Sequence, residues 1–281
     1  MYIFLNLDAT IANLSSVIFI LQDFTAHNCF SQPMNLNSKL KFTLKNAYNL
    51  FVNKIANLER GSNTQIGILR PGILDFFKFV KNLKDDGKCE GVVIYSNNTS
   101  LQCLNFIRDV IHECLFTINL IDDCVHKFHK FRGKTSEDYH KFGIYAKTWS
   151  TLKNLLMYGN LKVSKPIDPS SVLFFDNYLH INLKQILLDN YIIVQPYKYS
   201  TPWRTIEKLY IDVIEETQIE IDEFLNFINK FTEKSNSNIY THLHNYKMRY
   251  YVITNGETFV DCPKPDSSLN LMMNSLKFKF Q

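Results

Sequence analysis

Three short apolar runs in the 281-residue chain end in side chains that carry oxygen. Tyr2 to Leu7 runs through Asn6 into Asp8, Gly91 to Tyr95 runs into Ser96 and Asn97, and Ser171 to Phe175 runs into Asp176 and Asn177. Carboxylates and amides are hard oxygen ligands that suit Mg2+. Phosphoryl transfer asks for positioning and charge neutralisation more than for elaborate covalent chemistry. A carboxylate nucleophile, a second carboxylate as acid or base, a fixed cation and Mg2+ are sufficient parts. Lys147, ahead of the Asp176 run, is the candidate cation.

Such residues act together only if the fold brings the ends of the runs together. Between the runs lie segments with helical spacing. Leu40 to Leu58 places Leu40, Leu44, Ala47, Leu50, Phe51, Ile55 and Leu58 on one face and stops at Arg60-Gly61-Ser62. Arg70-Pro71-Gly72 opens a second helix with Pro early in its first turn. Further helices are expected at Thr99 to Ile111, Tyr145 to Met157 and Ile206 to Phe231. Additional strands are expected at Leu115 to Ile121 and Tyr191 to Val194, and a small strand-rich tail over the last 40 or so residues. Lys127 to Lys141 reads as a basic loop, and Lys234 to Asn238 as a polar break. Strands alternating with helices imply a parallel α/β sheet. In such sheets the site lies beyond the C-terminal strand ends, where the three oxygen-bearing groups stand.

Composition sets the bounds. Apolar residues make up 46% of the chain, enough for a buried core. Net charge is +4, from 31 basic and 27 acidic residues, too weak a bias to argue for nucleic acid. The six cysteines (Cys29, Cys89, Cys103, Cys114, Cys124 and Cys262) are scattered, without a secretion signal, so they are expected to be reduced. The longest apolar stretches, such as Val17 to Leu21, fall far short of the ~20 residues that span a bilayer. The expectation is a cytoplasmic or nuclear protein, or a virion component, with no membrane partner.

The motifs in order resemble the haloacid-dehalogenase superfamily. Phe4-Leu5-Asn6-Leu7-Asp8-Ala9-Thr10-Ile11 resembles its first motif, Asp-x-Asp-x-Thr after an apolar strand, except that Asn6 replaces the nucleophilic aspartate. Gly91 to Thr99 resembles the second motif, Tyr145 to Leu152 the third and Val172 to Asn177 the fourth. The stretches Leu69 to Phe77 and Leu120 to His126, and Asp176-Asn177 itself, resemble the branch of small C-terminal-domain phosphatases, also called NLI-interacting-factor-like. By looser analogy, large DNA viruses encode divergent members, including a nucleocapsid-assembly protein of baculoviruses. The resemblance covers roughly residues 1 to 232, with 14–65 as a helical insertion and 239–281 as a C-terminal appendage. Tyr178-Leu179-His180 departs from the Ser-Pro usual in the branch.

The resemblance implies a three-layer parallel sheet. It puts Asn6 at the nucleophile position and makes Asp8 the acid/base. Ser96 and Lys147 hold phosphate, Thr10 and Asn97 add substrate contacts, and Asn6, Asp8, Asp176 and Asn177 hold a weakened Mg2+. A carboxamide cannot form the aspartyl-phosphate that splits the reaction into two steps. The favoured function is therefore a phosphatase-like protein that binds a phosphorylated protein segment with catalysis lost. The alternatives are an active Mg2+-dependent serine/threonine phosphatase, should Asn6 be bypassed or stand for a natural aspartate, and a structural virion or scaffold protein. Partners among virion or transcription proteins fit either alternative.

Blander readings stand beside these. Asn6 and Asp8 suit a turn, Ser96 suits a helix cap, and Lys147 suits a solvated helix face, with Lys153 its substitute. Cys114, Cys124, His126 and His129, with His112 nearby, match no standard zinc spacing. The run His126 to Lys134 is most simply a solvated face, with a nucleic-acid or polyanion contact as the sharper reading.

Overall fold

The computed structural model describes residues 1–25, 37–61, 67–132, 147–199, 201–232, 236, 238–253 and 267–280. Cys29, Cys262, Tyr145, Ala146, Lys134 to Lys141 and most of the 234–238 break lie outside the described residues. Chain contacts divide the protein into two compact units, each discontinuous in sequence. Unit 1 is Met1–Asn13, Leu69–Lys198 and Pro263–Gln281; unit 2 is Leu14–Ile68 and Tyr199–Cys262. Segment 14–65 and residues 239–262 thus fall in unit 2, while 267–280 fall in unit 1. No helix among the described residues is long and apolar enough to cross a membrane.

Unit 1 is an α/β body around a five-stranded, all-parallel sheet. Its strands are β1 (Tyr2–Leu5), β2 (Gly91–Tyr95), β3 (Asp123–Val125), β4 (Val172–Asp176) and β5 (Tyr191–Ile193), in the order β3-β2-β1-β4-β5. Leu5 is level with Ile94 of β2 and Phe175 of β4, which fixes the register at the site end. Successive side chains of a strand point to opposite faces. Tyr2, Phe4, Val93, Tyr95, Val172 and Phe174 pack with Leu152, Leu155 and Leu156 of helix Trp149–Tyr158 and with Leu183 and Leu187 of helix Ile181–Leu187. On the other face Phe175 meets Phe76 of helix Ile73–Asp85 edge-on, with ring centroids 5.5 Å apart. Helices on both faces are compatible with three layers.

Ten α-helices lie among the described residues. They are α1 (Ile18–Thr25), α2 (Ser38–Gly61), α3 (Ile73–Asp85), α4 (Leu101–Cys114), α5 (Trp149–Tyr158), α6 (Ile181–Leu187), α7 (Trp203–Glu216), α8 (Ile221–Thr232), α9 (Ile239–Ile253) and α10 (Ser267–Phe280). The periodic face of α2 buries Leu40, Leu44, Ala47, Phe51 and Ile55 as expected.

Several expectations are corrected. The third strand is not Leu115 to Ile121. That run is apolar, but Phe116 and Ile118 are 81% and 82% exposed, and Phe116 takes a left-handed φ of 50°. The strand starts after Asp122, whose carboxylate accepts from the Val92 N–H at 2.7 Å and from Lys84. Pro71 precedes α3 instead of opening it. The N-cap is Gly72, whose φ of 79° and close approach to Leu269 of α10 leave no room for a side chain. Helix 206–231 is two helices, α7 and α8, parted at Gln218, which adopts φ 52° in the position usually given to glycine. The tail is helical in α9 and α10, because Leu243, Tyr246 and Tyr250 fall on one helical face and are all buried.

Unit 2 holds α1, α2, α7, α8 and α9. Its polar centre is Asp23, fully buried on α1. The carboxylate accepts from Tyr210 Oη at 2.8 Å and Tyr246 Oη at 2.5 Å, and His242 Nε2 lies 2.8 Å away. Asn236 Nδ2 is 3.2 Å from His242 Nδ1. An amide nitrogen only donates, so Nδ1 accepts and Nε2 is left to donate to Asp23. Three helices thus converge on one acceptor. Asp23→Asn would turn an N–H against these donors and is expected to cost about 2–3 kcal/mol of stability. A urea-denaturation loss below about 1 kcal/mol would count against this role.

Candidate functional site

The sheet order reverses between β1 and β4, since β1 continues to β2 on one side while β4 pairs on the other. Crevices at the C-terminal edge form at such reversals. Asn6 and Asp8 leave β1 here, Asp176 ends β4 with Asn177 next, and Ser96 follows β2. The β1 loop is folded tightly. Leu7 O accepts from the N–H groups of Thr10, Ile11 and Ala12, and Ala9 takes φ 57°. Arg70, 2% exposed, pins this loop from outside. Its N–H donates to Ile11 O at 2.9 Å, and Nη2 donates to Ala9 O at 3.2 Å and to Gln195 O.

Lys147 lies one residue before Thr148, the N-cap of α5, so it is not on the helix. Nor is it solvated, being 2% exposed. Its ammonium donates to Asp176 Oδ2 at 2.7 Å and to Asn6 Oδ1 at 3.0 Å, and stands 5.5 Å and 5.4 Å over the Tyr95 and Phe174 rings. Burial pulls the Lys147 pKa below the usual lysine value, and Asp176 opposes that pull.

An ammonium has only donors, so the Asn6 atom facing it is the oxygen. The Asn6 nitrogen therefore faces the other way. It donates to Asp8 O at 3.0 Å and to Asn177 Oδ1 at 2.7 Å, with Thr10 Oγ1 at 3.4 Å. Turning the Asn177 amide would give its nitrogen acceptors in Asp8 O, Asp176 Oδ1 and Thr10 Oγ1, but would set it against the Asn6 nitrogen at the same 2.7 Å. We take the orientation that Lys147 dictates.

This geometry tests the metal set. Asp8 O, Asp176 Oδ1, Asn177 Oδ1 and Thr10 Oγ1 form an oxygen-rich cluster, but the Asn6 amide nitrogen already donates to three of these oxygens. A carboxylate at position 6 would give one oxygen to Lys147 and one to a cation. A carboxamide has a single oxygen, which here accepts from Lys147, and it turns an N–H instead of an oxygen toward the cluster. The four residues therefore do not fit Mg2+ as they stand. Among the described residues no group of three or more His, Cys, Asp or Glu is placed to hold a metal ion. Cys89, Cys103, Cys114 and Cys124 are buried.

Ser96 does not cap α4; Ser100 does, accepting from Cys103 N at 3.3 Å. The Ser96 hydroxyl donates to Asp8 Oδ2 at 3.0 Å and accepts from Asn98 N at 3.1 Å, while Asn98 Nδ2 donates to Asp8 Oδ1 at 3.1 Å. Asp8 is thus held from both oxygens and is half-buried. Thr10 donates to Asn177 Oδ1 at 3.2 Å. Asn97 is exposed, and Arg132 Nη2 donates to its Oδ1.

Four contributors were not singled out from sequence. Arg132 stands in a run read as a solvated face. It is 6% exposed, donates to Ser96 O at 2.6 Å and lies 4.6 Å over the Tyr95 ring. Asn98 braces Asp8, and Arg70 pins the loop. His180 Nε2 stands 3.5 Å from Asp176 Oδ2 in the Tyr178 to His180 segment, where the sequence has no Ser-Pro, and that was the available signal.

The site also sets a pH dependence. His180 is held down to about 4 chiefly by burial and then by Lys147, with Asp176 opposing. His112, whose Nε2 accepts from Ile121 N, is likewise at about 4 through burial and then Arg108. An unfolded histidine takes its proton near ~6.5, so between the two values the unfolded chain binds more protons. Stability is fully present above about 6.5 and is lost as pH falls toward 4. His180→Asn should flatten part of that decline in urea midpoints. An unchanged slope in both His180→Asn and His112→Asn would remove these rings as its source.

Compared with family models, curated proteins and solved structures, the chain has no significant match.

Proposed function

We propose that unit 1 is a phosphatase-like domain of haloacid-dehalogenase type that binds a phosphorylated protein segment and has lost phosphoryl-transfer chemistry. The orientation of Asn6 carries this reading. Its amide bridges Lys147 and the Asp8–Asn177 oxygens, so a group of carboxylate shape but without nucleophilic power stands at the C-terminal end of β1. The surroundings support it: a cation, a second carboxylate and a hydroxyl converge at the sheet reversal. Losing a nucleophile costs several orders of magnitude in rate, on the order of 5 kcal/mol or more.

One observation favours the scaffold reading instead. Lys147, Ser96 and Asp176 are at most 2% exposed and direct their bonds inward, to Asp176, Asn6, Asp8 and Tyr178. A ligand would have to enter beside the more open Asp8, Asn97 and Asn98. Calorimetric titration with a phosphoserine peptide and its unphosphorylated twin separates the two. Phosphate-dependent binding that weakens in Asn98→Ala supports the ligand reading, and equal heats for both peptides leave the scaffold.

A further inference from the structure

Unit 2 contains a cavity of about 310 Å³ beside the start of α7, lined there by Pro202, Trp203, Arg204 and Glu207 and from α9 by Lys247, Tyr250 and Tyr251. Its walls are aromatic. The Trp203 and Tyr250 rings are 5.8 Å apart, Tyr250 and Tyr251 are 5.7 Å apart, and Lys247 Nζ stands 6.0 Å over the Tyr251 ring. Its polar groups are mostly donors. The N-cap of α7 is Pro202, which supplies no capping side chain, and the first turn has no acidic residue. The leading N–H groups of a helix have no intrahelical acceptor and favour an anion. Arg204 and Lys247 add two cations against the single carboxylate of Glu207.

An independent observation points to a missing partner. Trp203 is 4% exposed, yet its indole N–H has no acceptor among the described residues. Buried donors are nearly always paired. A cavity of this size with aromatic walls and a few convergent polar groups has the character of a small-molecule site. One planar ring and one anionic group fill about this volume, and a polymer would not.

We infer that this cavity binds an aromatic phosphate, a planar ring joined to a phosphate monoester. The ring packs against Trp203, Tyr250 and Tyr251, and the phosphate meets Arg204, Lys247 and the start of α7. Mononucleotides and free phosphotyrosine share this chemistry, so both serve as probes, with inorganic phosphate and adenosine as half-ligands.

Titration of the full chain, followed by calorimetry and tryptophan fluorescence, tests this. The expected result is saturable binding of AMP or O-phosphotyrosine that is tighter than either half-ligand. Lys247→Ala and Arg204→Ala should each weaken it by about tenfold, as loss of a charge-assisted bond does. Lys78→Ala on the exposed face of α3 should leave it unchanged, and Trp203→Phe should abolish the fluorescence response. The tighter of the two probes identifies the source. Lys247 and Arg204 are at least partly exposed, so their variants keep the core intact. No saturable binding of either probe, or binding that both alanine variants leave intact, would overturn the inference.

Discussion

Replacing Asn6 by aspartate is expected to give the chain Mg2+-dependent hydrolysis of an aryl phosphate, at least about three orders of magnitude above the unaltered chain. The reason is an acceptor count. Asn6 spends its one oxygen on Lys147 at 3.0 Å and turns an N–H toward Asp8 O and Asn177 Oδ1. Aspartate of the same shape keeps the Lys147 bond and replaces that N–H by a second oxygen. The oxygen cluster of Asp8, Asp176 and Asn177 then gains an anion and loses its internal donor, which is the change a divalent cation needs. The new carboxylate also supplies the nucleophile. Its oxygen attacks phosphorus, the P–O bond to the aryl group breaks and the aryl oxygen leaves as the phenolate, and water, giving its proton to the Asp8 carboxylate, later hydrolyses the acyl phosphate. Binding can be read apart from chemistry. Mg2+ should raise the melting temperature of Asn6→Asp and not of the unaltered chain. Stabilisation by Mg2+ without turnover would place a further defect elsewhere, with the Tyr178 to His180 segment first. A folded variant that shows no Mg2+ stabilisation and no turnover would sink the phosphatase reading of unit 1.

Lys147→Ala is expected to cost about 3–5 kcal/mol of stability, because it leaves a buried carboxylate without its counter-ion. Both side chains of the Lys147–Asp176 pair are 1% exposed. What remains near Asp176 is weaker compensation: the Tyr178 N–H at 3.1 Å and the His180 ring, whose Nε2 stands 3.5 Å away. The double variant Lys147→Met with Asp176→Asn removes both charges and should recover a large part of the loss. Urea denaturation of Lys147→Met, Asp176→Asn and the double closes the cycle. A Lys147→Ala loss under about 1 kcal/mol would mean that water reaches Asp176 in the folded chain.

The residues that made the site legible are those at strand ends. Tyr2 to Leu5, Gly91 to Tyr95 and Val172 to Phe175 are buried throughout, so each reads as an unbroken apolar run that stops where the polar residues begin. The α2 spacing was legible for the same reason, since one face is buried from Leu40 to Ala56. Other features depend on contacts distant in sequence. Arg132 looks like part of a solvated basic run until its guanidinium is seen on Ser96 O, 36 residues away. The β3 boundary is set by Asp122 bonding to Val92, not by the apolar residues before it. The α7–α8 break has no glycine or proline to mark it, because Gln218 itself takes the left-handed turn. The tail is rich in tyrosine and β-branched residues that favour strands locally, and burial of Leu243, Tyr246 and Tyr250 overrides that preference.

The interleaving of the two units has a consequence for synthesis on the ribosome. The chain passes between units after residues 13, 68, 198 and 262. Neither unit is contiguous, so neither can be finished as a single stretch emerges. Asp23 of α1 must wait for His242 and Tyr246, 219 and 223 residues later. Closing loops of that length is entropically costly and slow. Until α9 emerges, the buried Asp23 carboxylate lacks His242 and Tyr246, and a chain held incomplete in this way is open to chaperone binding and aggregation. The expected signature is release-dependent folding. Arrested nascent chains ending near residue 235 should be protease-sensitive in α1 and α2, and the released full-length chain should be resistant there.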